Sequence, residues 1–142
     1  MHLSAGGRLM NRRDAIKNRL NILKAIMGLK LFQAQCEVTV VKELDVLAHA
    51  ILTAAKRRAP VRTGALRASG RVEQKGPKTR IIGFGGSGTG VNYAAVVEYG
   101  NGRQRAQPYL RPAFFAVRKT YKKRVISKFK NHWAIASKLG SS

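Results

Sequence analysis

The stretch VNYAAVVEYGNGRQRAQPYLRPAFF, residues 91–115, contains the residues that predict the secondary structure of the second half of the chain. Its first residues, 91–99, are mostly apolar and predict a strand or a short helix that ends at Gly100. Glu98 is the only acid of the stretch and the last acid of the chain, although 44 residues follow it. The isolation of this carboxylate in a basic region points to a structural function for it.

Downstream of that run, the sequence predicts a long C-terminal helix from Pro112 onward. Pro108 and Pro112 restrict the backbone around residues 109–111, so Leu110 and Arg111 should point in fixed directions. Pro112 also suits the first turn of a helix. The apolar residues that follow at steps of three and four are Phe114, Val117, Tyr121, Val125, Phe129 and Trp133. The basic residues of the opposite face are Arg118, Lys119, Lys122, Lys123, Lys128 and Lys130.

Upstream of the stretch, the sequence predicts a β-hairpin. The segments RVEQK (71–75) and TRIIGFG (79–85) are separated by GPK, and the second is rich in residues that favour strands. VRTGALRASG (61–70) is expected to be a loop or turn that opens the first strand, and GGSGTG (85–90) a flexible loop.

The N-terminal half predicts two helices. From Asn11, the apolar residues that recur at helical spacing are Ile16, Leu20, Leu23, Met27 and Leu31, with Gly28 weakening the pattern near its end. A second pattern comprises Val41, Leu44, Ala48, Ile51 and Ala55, and it must stop by Ala59 because Pro60 disfavours helical geometry in the residue before it. The β-branched segment VTVV (38–41) could instead form a short strand.

These elements predict an α+β fold, in which a small antiparallel sheet is flanked by an N-terminal helical region and a long C-terminal helix. The length of 142 residues suits one domain with a core of modest size. We expect residues 1–10 to be a flexible basic tail and residues 11–142 to form that single domain.

The charge of the chain is abnormal. It has 28 Lys and Arg against 6 Asp and Glu, a formal net charge of +22. Residues 56–80 hold nine basic residues and one acid, and residues 103–138 hold eleven and none. Solvated faces usually mix both signs, so this excess predicts acidic partners, either phosphates or acidic protein surfaces. The aromatic residues are not interleaved with the charges, so attraction to backbone phosphates is expected rather than sequence-specific base reading.

The sequence offers no catalytic constellation and no metal or cofactor site. A single cysteine, Cys36, excludes an internal disulfide and is expected to be a small buried hydrophobe, while the three histidines lack ligand spacing. Gly83, Gly85 and Gly88 formally match a dinucleotide fingerprint, but neither a helix start nor a ribose-binding acid follows them. No apolar run approaches the length of a membrane span.

Three segments occur in an order that resembles the neck and tail-completion proteins of tailed bacteriophages. They are AKRRAPVRTGALRAS (55–69), VNYAAVVEYGNG (91–102) and AQPYLRPAF (106–114). The resemblance covers roughly residues 40–135. It implies a structural virion protein rather than an enzyme, made in the host cytoplasm and placed in the virion neck.

The resemblance also assigns expected parts to individual residues. The turn that leads into the sheet would comprise Pro60, Thr63, Gly64, Leu66 and Arg67. The segment leading to the outer loop would comprise Tyr93, Glu98, Tyr99 and Gly100. The residues that fix the last helix would be Gln107, Pro108, Leu110, Arg111 and Pro112. The candidate contacts to a partner or to DNA are Arg103, Arg105, Lys119, Lys122, Lys123 and Lys130.

Residue chemistry suggests how two of these positions act. Gly64 can adopt a positive φ that a side chain would resist. Glu98 has candidate partners in Arg111, Arg105 and Arg67, and a bidentate arginine pair would make it a structural latch.

The resemblance implies a ring at the head–tail junction that joins head and tail and lets DNA pass. Six copies are favoured, with twelve as the alternative. The implied partners are head-closure or connector proteins, tail terminator or tube proteins, and the phage DNA through its phosphates, with no membrane. Two other readings stay open: a basic, sequence-nonspecific nucleic-acid-binding protein, and a small enzyme or nucleotide-binding module.

Overall fold

The computed structural model describes residues 11–141, so the expected N-terminal tail lies outside the described residues. The predicted α+β class is confirmed, because the chain has a long helix at each end and a two-stranded antiparallel sheet between them in sequence. The elements in chain order are α1 (Arg12–Arg58), α2 (Ala65–Ala68), β1 (Arg71–Gly76), β2 (Thr79–Gly83), α3 (Ala94–Tyr99) and α4 (Leu110–Ser141).

The N-terminal half forms one helix rather than the two that were expected. Helix α1 runs for 47 residues through Gly28 and through the β-branched segment 38–41. Gly28 permits close packing, since a Cβ built on it would lie 3.4 Å from the carbonyl oxygen of Ala136 in α4. In the segment 38–41, Thr39 is buried, Val40 and Val41 are half-buried, and Val38 is exposed. Tertiary packing therefore outweighs the weak helix propensity of these residues.

Helix α1 ends at Arg58, as Pro60 predicted. The segment expected to be a loop contains a single helical turn, α2, before the chain enters β1. The predicted hairpin is confirmed: Val72 pairs with Ile82 and Glu73 with Ile81 in an antiparallel register.

The stretch 91–115 forms the short helix α3, which ends at Gly100, and then leads into α4. Helix α4 begins at Leu110, so Pro112 lies in its first turn as predicted. The predicted apolar face of α4 is only partly covered: Val117, Tyr121, Val125 and Phe129 are half-buried, whereas Phe114 and Trp133 are exposed.

The described residues cluster into two compact units, which we call the core unit (37–128) and the two-helix unit (11–36 with 129–141). The expectation of a single domain stays a prediction. In the core unit, the buried apolar residues form a thin, alanine-rich core that comprises Ala55, Ala59, Leu66, Val91, Val97, Tyr109 and Ala113.

Ion pairs connect the elements of the core unit. The buried carboxylate of Glu43 on α1 pairs with Lys128 and Arg124 of α4, with 3.1 Å between Arg124 Nε and Glu43 Oε2. The charge of Arg124 adds to that of Lys128 in stabilising the ionised carboxylate. Hydrogen bonding to Lys128 lowers the pKa of Glu43, and burial only partly opposes the effect. Asp45 pairs with Arg80 of β2, which lowers the pKa of that carboxyl.

In the two-helix unit, the first part of α1 lies antiparallel to the last part of α4. The ring of Phe32 meets the ring of Trp133 edge-on, with 5.4 Å between the centroids. The close approach of Gly28 to Ala136 lies one helical turn further along. One face of each helix is thereby used within the chain.

Candidate interaction site

The first two motif segments meet in one cleft of the core unit, with a volume of about 620 Å³. Five predicted motif residues line it: Pro60, Thr63, Gly64, Leu66 and Tyr93. The other lining residues are Arg62, Ala65, Gly90, Val97 and Gln104. Residues that are far apart in sequence therefore form a single concave surface.

The cleft has an apolar floor and a polar rim. Leu66 and Val97 are buried beneath it, and the exposed ring of Tyr93 forms one wall. Arg62 and Gln104 are exposed among the lining residues. Of the described residues that line the cleft, Arg62 is the one cation and none is a carboxylate.

The turn that forms one wall of this cleft depends on Gly64. Its φ of 77° lies in the left-handed region, which confirms the expected positive φ, and it precedes the helical turn α2. Arg67 Nη2 donates to the carbonyl oxygen of Ala59 at 3.4 Å, which joins α2 to the end of α1. The Ser69 hydroxyl donates to Leu66 O at 2.7 Å and accepts from Gly85 N at 2.9 Å, which holds the Gly-rich loop against the turn.

Glu98 is a buried carboxylate at the N-terminus of α4. Its Oε2 accepts hydrogen bonds from the backbone N–H groups of Tyr109 at 2.8 Å and Leu110 at 2.9 Å, and its Oε1 accepts from Arg111 N at 2.9 Å. The first N–H groups of a helix have no partner within the helix and carry partial positive charge. Glu98 satisfies three of them and connects α3 to α4.

The prediction that Glu98 pairs with an arginine side chain is therefore wrong. The carboxylate still connects two elements as a latch, but its partners are backbone groups. The bonding donors are backbone groups, because the helix start directs them at Glu98. Burial would raise the pKa of Glu98, but the three backbone hydrogen bonds and the charge of Arg111 lower it below its usual value.

Tyr109 is the main residue that sequence reasoning did not select. Its side chain is buried, its ring packs edge-on against Phe84 at 4.9 Å between centroids, and its hydroxyl donates to Ala94 O at 3.4 Å. Burial, followed by the charges of Glu98 and Tyr99, raises the pKa of Tyr109 to about 12. Its position between two prolines was a signal that could have identified it.

Gly100 permits the sharp change of direction after α3. Its φ of 76° and ψ of 175° fall in a region that is essentially restricted to glycine, and a Cβ there would lie 2.9 Å from both Ala106 N and Gln104 O. We expect Gly100→Ala to lower the free energy of unfolding by about 1–2 kcal/mol. Thermal unfolding of the purified protein measures this.

Gly102→Ala is the matched control, because a Cβ at Gly102 meets no atom within 4 Å and its φ is not positive. It should change the free energy of unfolding by less than about 0.5 kcal/mol. Equal effects of the two substitutions would contradict the assignment of strain to Gly100.

The other predicted residues lie outside the cleft. Gln107 N donates to Val97 O at 2.8 Å, which fixes the end of the 100–109 loop. The exposed members of the set are Arg67, Tyr99, Arg103, Arg105, Gln107, Pro108, Arg111, Pro112, Lys119, Lys122, Lys123 and Lys130. Leu110 is half-buried against the core. The predicted residues thus fall in three places: the cleft, the Glu98 latch at the start of α4, and an exposed basic surface.

Among residues 11–141, no group of three or more His, Cys, Asp or Glu side chains is arranged to hold a metal ion. Cys36 is only partly buried. Within the same residues, no helix is both long enough and apolar enough to cross a membrane.

The cleft, the backbone-capping carboxylate and the basic exposed surface all lie on a small α+β fold. Residues 29–100 match the family model HK97-gp10_like, described as "Bacteriophage HK97-gp10, putative tail-component", and the chain belongs to this family. The match contains the first motif segment and the second as far as Gly100, and the third segment lies beyond it. No curated protein and no solved structure matches the chain.

Membership confirms the resemblance noted from the three motifs. The protein is a tail-associated structural component of a bacteriophage, its place is the virion, and its partners are other head or tail proteins. The family's description as a tail component implies a non-enzymatic protein.

Proposed function

We propose that the protein forms a closed ring at the head–tail junction, where it joins head and tail and lets DNA pass. The observation that carries this proposal is the convergence of two family motifs on one cleft, in a chain that belongs to a family of phage tail components. A closed ring requires a heterologous interface, in which a concave patch on one copy receives a different patch of the next. The apolar floor and polar rim of the cleft suit the concave partner.

A ring of six copies is the favoured stoichiometry, because phage tails are sixfold, and twelve is the alternative because portals are twelvefold. Purified protein can stay monomeric until its neighbours template the ring. A reconstruction of intact virions tests the proposal and should show a closed ring of this chain at the neck. A single copy, or no density for this chain there, would overturn it.

The net positive charge of the chain determines which kinds of surface the ring can lie against. Six copies would carry about 130 formal positive charges, since each carries +22, and such a ring needs counterions or acidic neighbours. We assign the loop with Arg103 and Arg105, together with residues 56–80, to the lumen or a neighbouring ring. The lysine face of α4, defined as Lys119, Lys122, Lys123 and Lys130, would contact an acidic neighbouring protein.

Charge reversal of Lys119, Lys122 and Lys123 to Glu should abolish head–tail joining while heads still package DNA. All three side chains are exposed, so fold stability should not change. The interface would place like charges in contact, which disfavours association strongly. Counting joined particles and filled heads by electron microscopy measures the effect.

Replacing the same lysines with Gln is the matched control, because it removes the attraction without adding repulsion, and it should give a partial defect. Normal joining with DNA leaking from complete particles would assign these lysines to DNA instead. Normal infectious particles would leave them without either function.

The net charge of +22 also supports a second candidate function, sequence-nonspecific nucleic-acid binding. That function predicts tight binding of monomers to duplex DNA of any sequence, with affinity that falls steeply as salt rises. Titration of labelled DNA at several salt concentrations, with the oligomeric state followed in parallel, separates it from the ring.

A further inference from the structure

The two-helix unit carries a row of exposed apolar side chains on α1. The five residues that the sequence predicted as the apolar face of its first helix are all exposed, with relative accessibilities between 43 and 70 %: Ile16, Leu20, Leu23, Met27 and Leu31. We call these five residues the apolar stripe. A sequence pattern typical of a buried helix face is thus left at the surface of the folded chain.

Helix geometry makes the stripe a continuous ridge. Its spacing places the five side chains within an arc of about 80° and along roughly 22 Å of helix. The contacts with α4 use another side of α1, where Gly28 approaches Ala136 and Phe32 meets Trp133. Packing among residues 11–141 therefore leaves the stripe exposed.

The stripe continues into a groove beside α4. Met27 and Leu31 line this groove together with Gly28, Lys24 and Leu139, and its volume is about 330 Å³. A ridge with coiled-coil-like spacing beside a two-helix groove suits a third helix, which would complete a small bundle.

The charges around the stripe determine which helix can lie there. The basic residues that flank it on both sides are Arg12, Arg13, Lys17, Arg19, Lys24 and Lys30. The single acid of residues 11–36, Asp14, points away from the stripe by helix geometry. A second copy of this chain would place like charges along both flanks, and such pairing is disfavoured.

We propose that the apolar stripe is a docking surface for an acidic amphipathic helix of a different protein. The partner would present Leu or Ile along its centre and Glu or Asp along both flanks. Apolar contacts would supply affinity, and the flanking charges would select an acidic partner over a second copy. This inference goes beyond the ring and does not rest on it.

The test uses the full-length protein and a labelled synthetic three-heptad peptide with Leu at the core positions and Glu at the flanking positions. The control peptide has the same core with Lys at the flanks. Fluorescence anisotropy should show saturable binding of the Glu peptide and at least about tenfold weaker binding of the Lys peptide. Equal binding of both peptides, or binding of neither, would overturn the proposal.

Leu23→Gln with Met27→Gln should weaken binding of the Glu peptide by about tenfold or more. The matched control is Ile22→Gln with Leu29→Gln, because these two residues are also exposed and apolar but lie on the other side of the helix. It should leave binding within about twofold. Equal loss in both variants would contradict the stripe as the docking surface. If the protein self-associates with rising concentration and the variant Leu23→Gln with Met27→Gln does not, the apolar stripe binds a second copy of this chain instead.

Discussion

Glu98→Gln should lower the free energy of unfolding by about 2–3 kcal/mol, a fall in the melting temperature of roughly 6–12 °C. The carboxylate is buried and accepts three backbone N–H groups at the start of α4. An amide of the same shape supplies one acceptor oxygen and turns an NH₂ group toward the remaining donors, which leaves buried groups unsatisfied. Chemical denaturation at neutral pH measures the change.

Glu73→Gln is the matched control for this prediction. Glu73 is half-exposed and pairs with Arg71 on the surface at 2.5 Å, so the same chemical change should cost less than about 0.5 kcal/mol. A Glu98→Gln protein as stable as the Glu73→Gln protein would show that Glu98 does not act as a latch.

The latch also predicts a pH dependence. The pKa of Glu98 is lowered in the folded protein relative to 4.5, so its contribution to stability is present above that value and is lost as pH falls through the folded pKa. The difference in stability between the native protein and Glu98→Gln should therefore shrink below about pH 4.5. A difference that is constant down to pH 3 would contradict ionisation of Glu98 as its source.

The second large effect is expected when Glu43 loses its cations. Arg124→Gln combined with Lys128→Gln should lower the free energy of unfolding by about 3 kcal/mol at neutral pH, because a buried carboxylate is left without a partner. Glu43→Gln should cost less, since Arg124 and Lys128 are about half-exposed and can turn to water. Denaturant unfolding of both variants measures this asymmetry.

The matched control is Arg118→Gln with Lys122→Gln, which removes one arginine and one lysine with the same spacing from an exposed face of α4. It should change the free energy of unfolding by less than about 0.5 kcal/mol. In the variant Arg124→Gln with Lys128→Gln, burial acts on Glu43 without the two cations and raises its pKa. The loss of unfolding free energy in this variant should therefore diminish as the pH is lowered and Glu43 becomes protonated. A cost equal to that of the control would show that the pairs do not stabilise the fold.

Local sequence signals predicted much of the fold. Pro60 indicated where α1 ends, the GPK turn with its strand-favouring neighbours indicated the hairpin, and Pro112 with the apolar repeat after it indicated α4. Each of these signals acts over a few residues, through backbone sterics or side-chain periodicity, and needs no distant partner. The motifs contain five of the residues that line the cleft, although the sequence did not predict the cleft itself.

Where local signals disagreed about secondary structure, contacts with residues distant in sequence decided the outcome. Gly28 and the segment 38–41 argue against a continuous helix, yet α1 runs through both. The apolar repeat of residues 16–31 predicted a helix face but not what covers it, because burial depends on neighbours that the local pattern does not contain.

The sequence by itself determined the α+β class, the charge excess and the presence of one isolated carboxylate in the C-terminal half. Only the tertiary structure decided that Glu98 bonds to the backbone start of α4 rather than to an arginine, and that the stripe of α1 is exposed. The physical reason is the range of the interactions. Composition and periodicity are properties of the chain, whereas a hydrogen-bond partner or a buried surface exists only when distant segments are brought together.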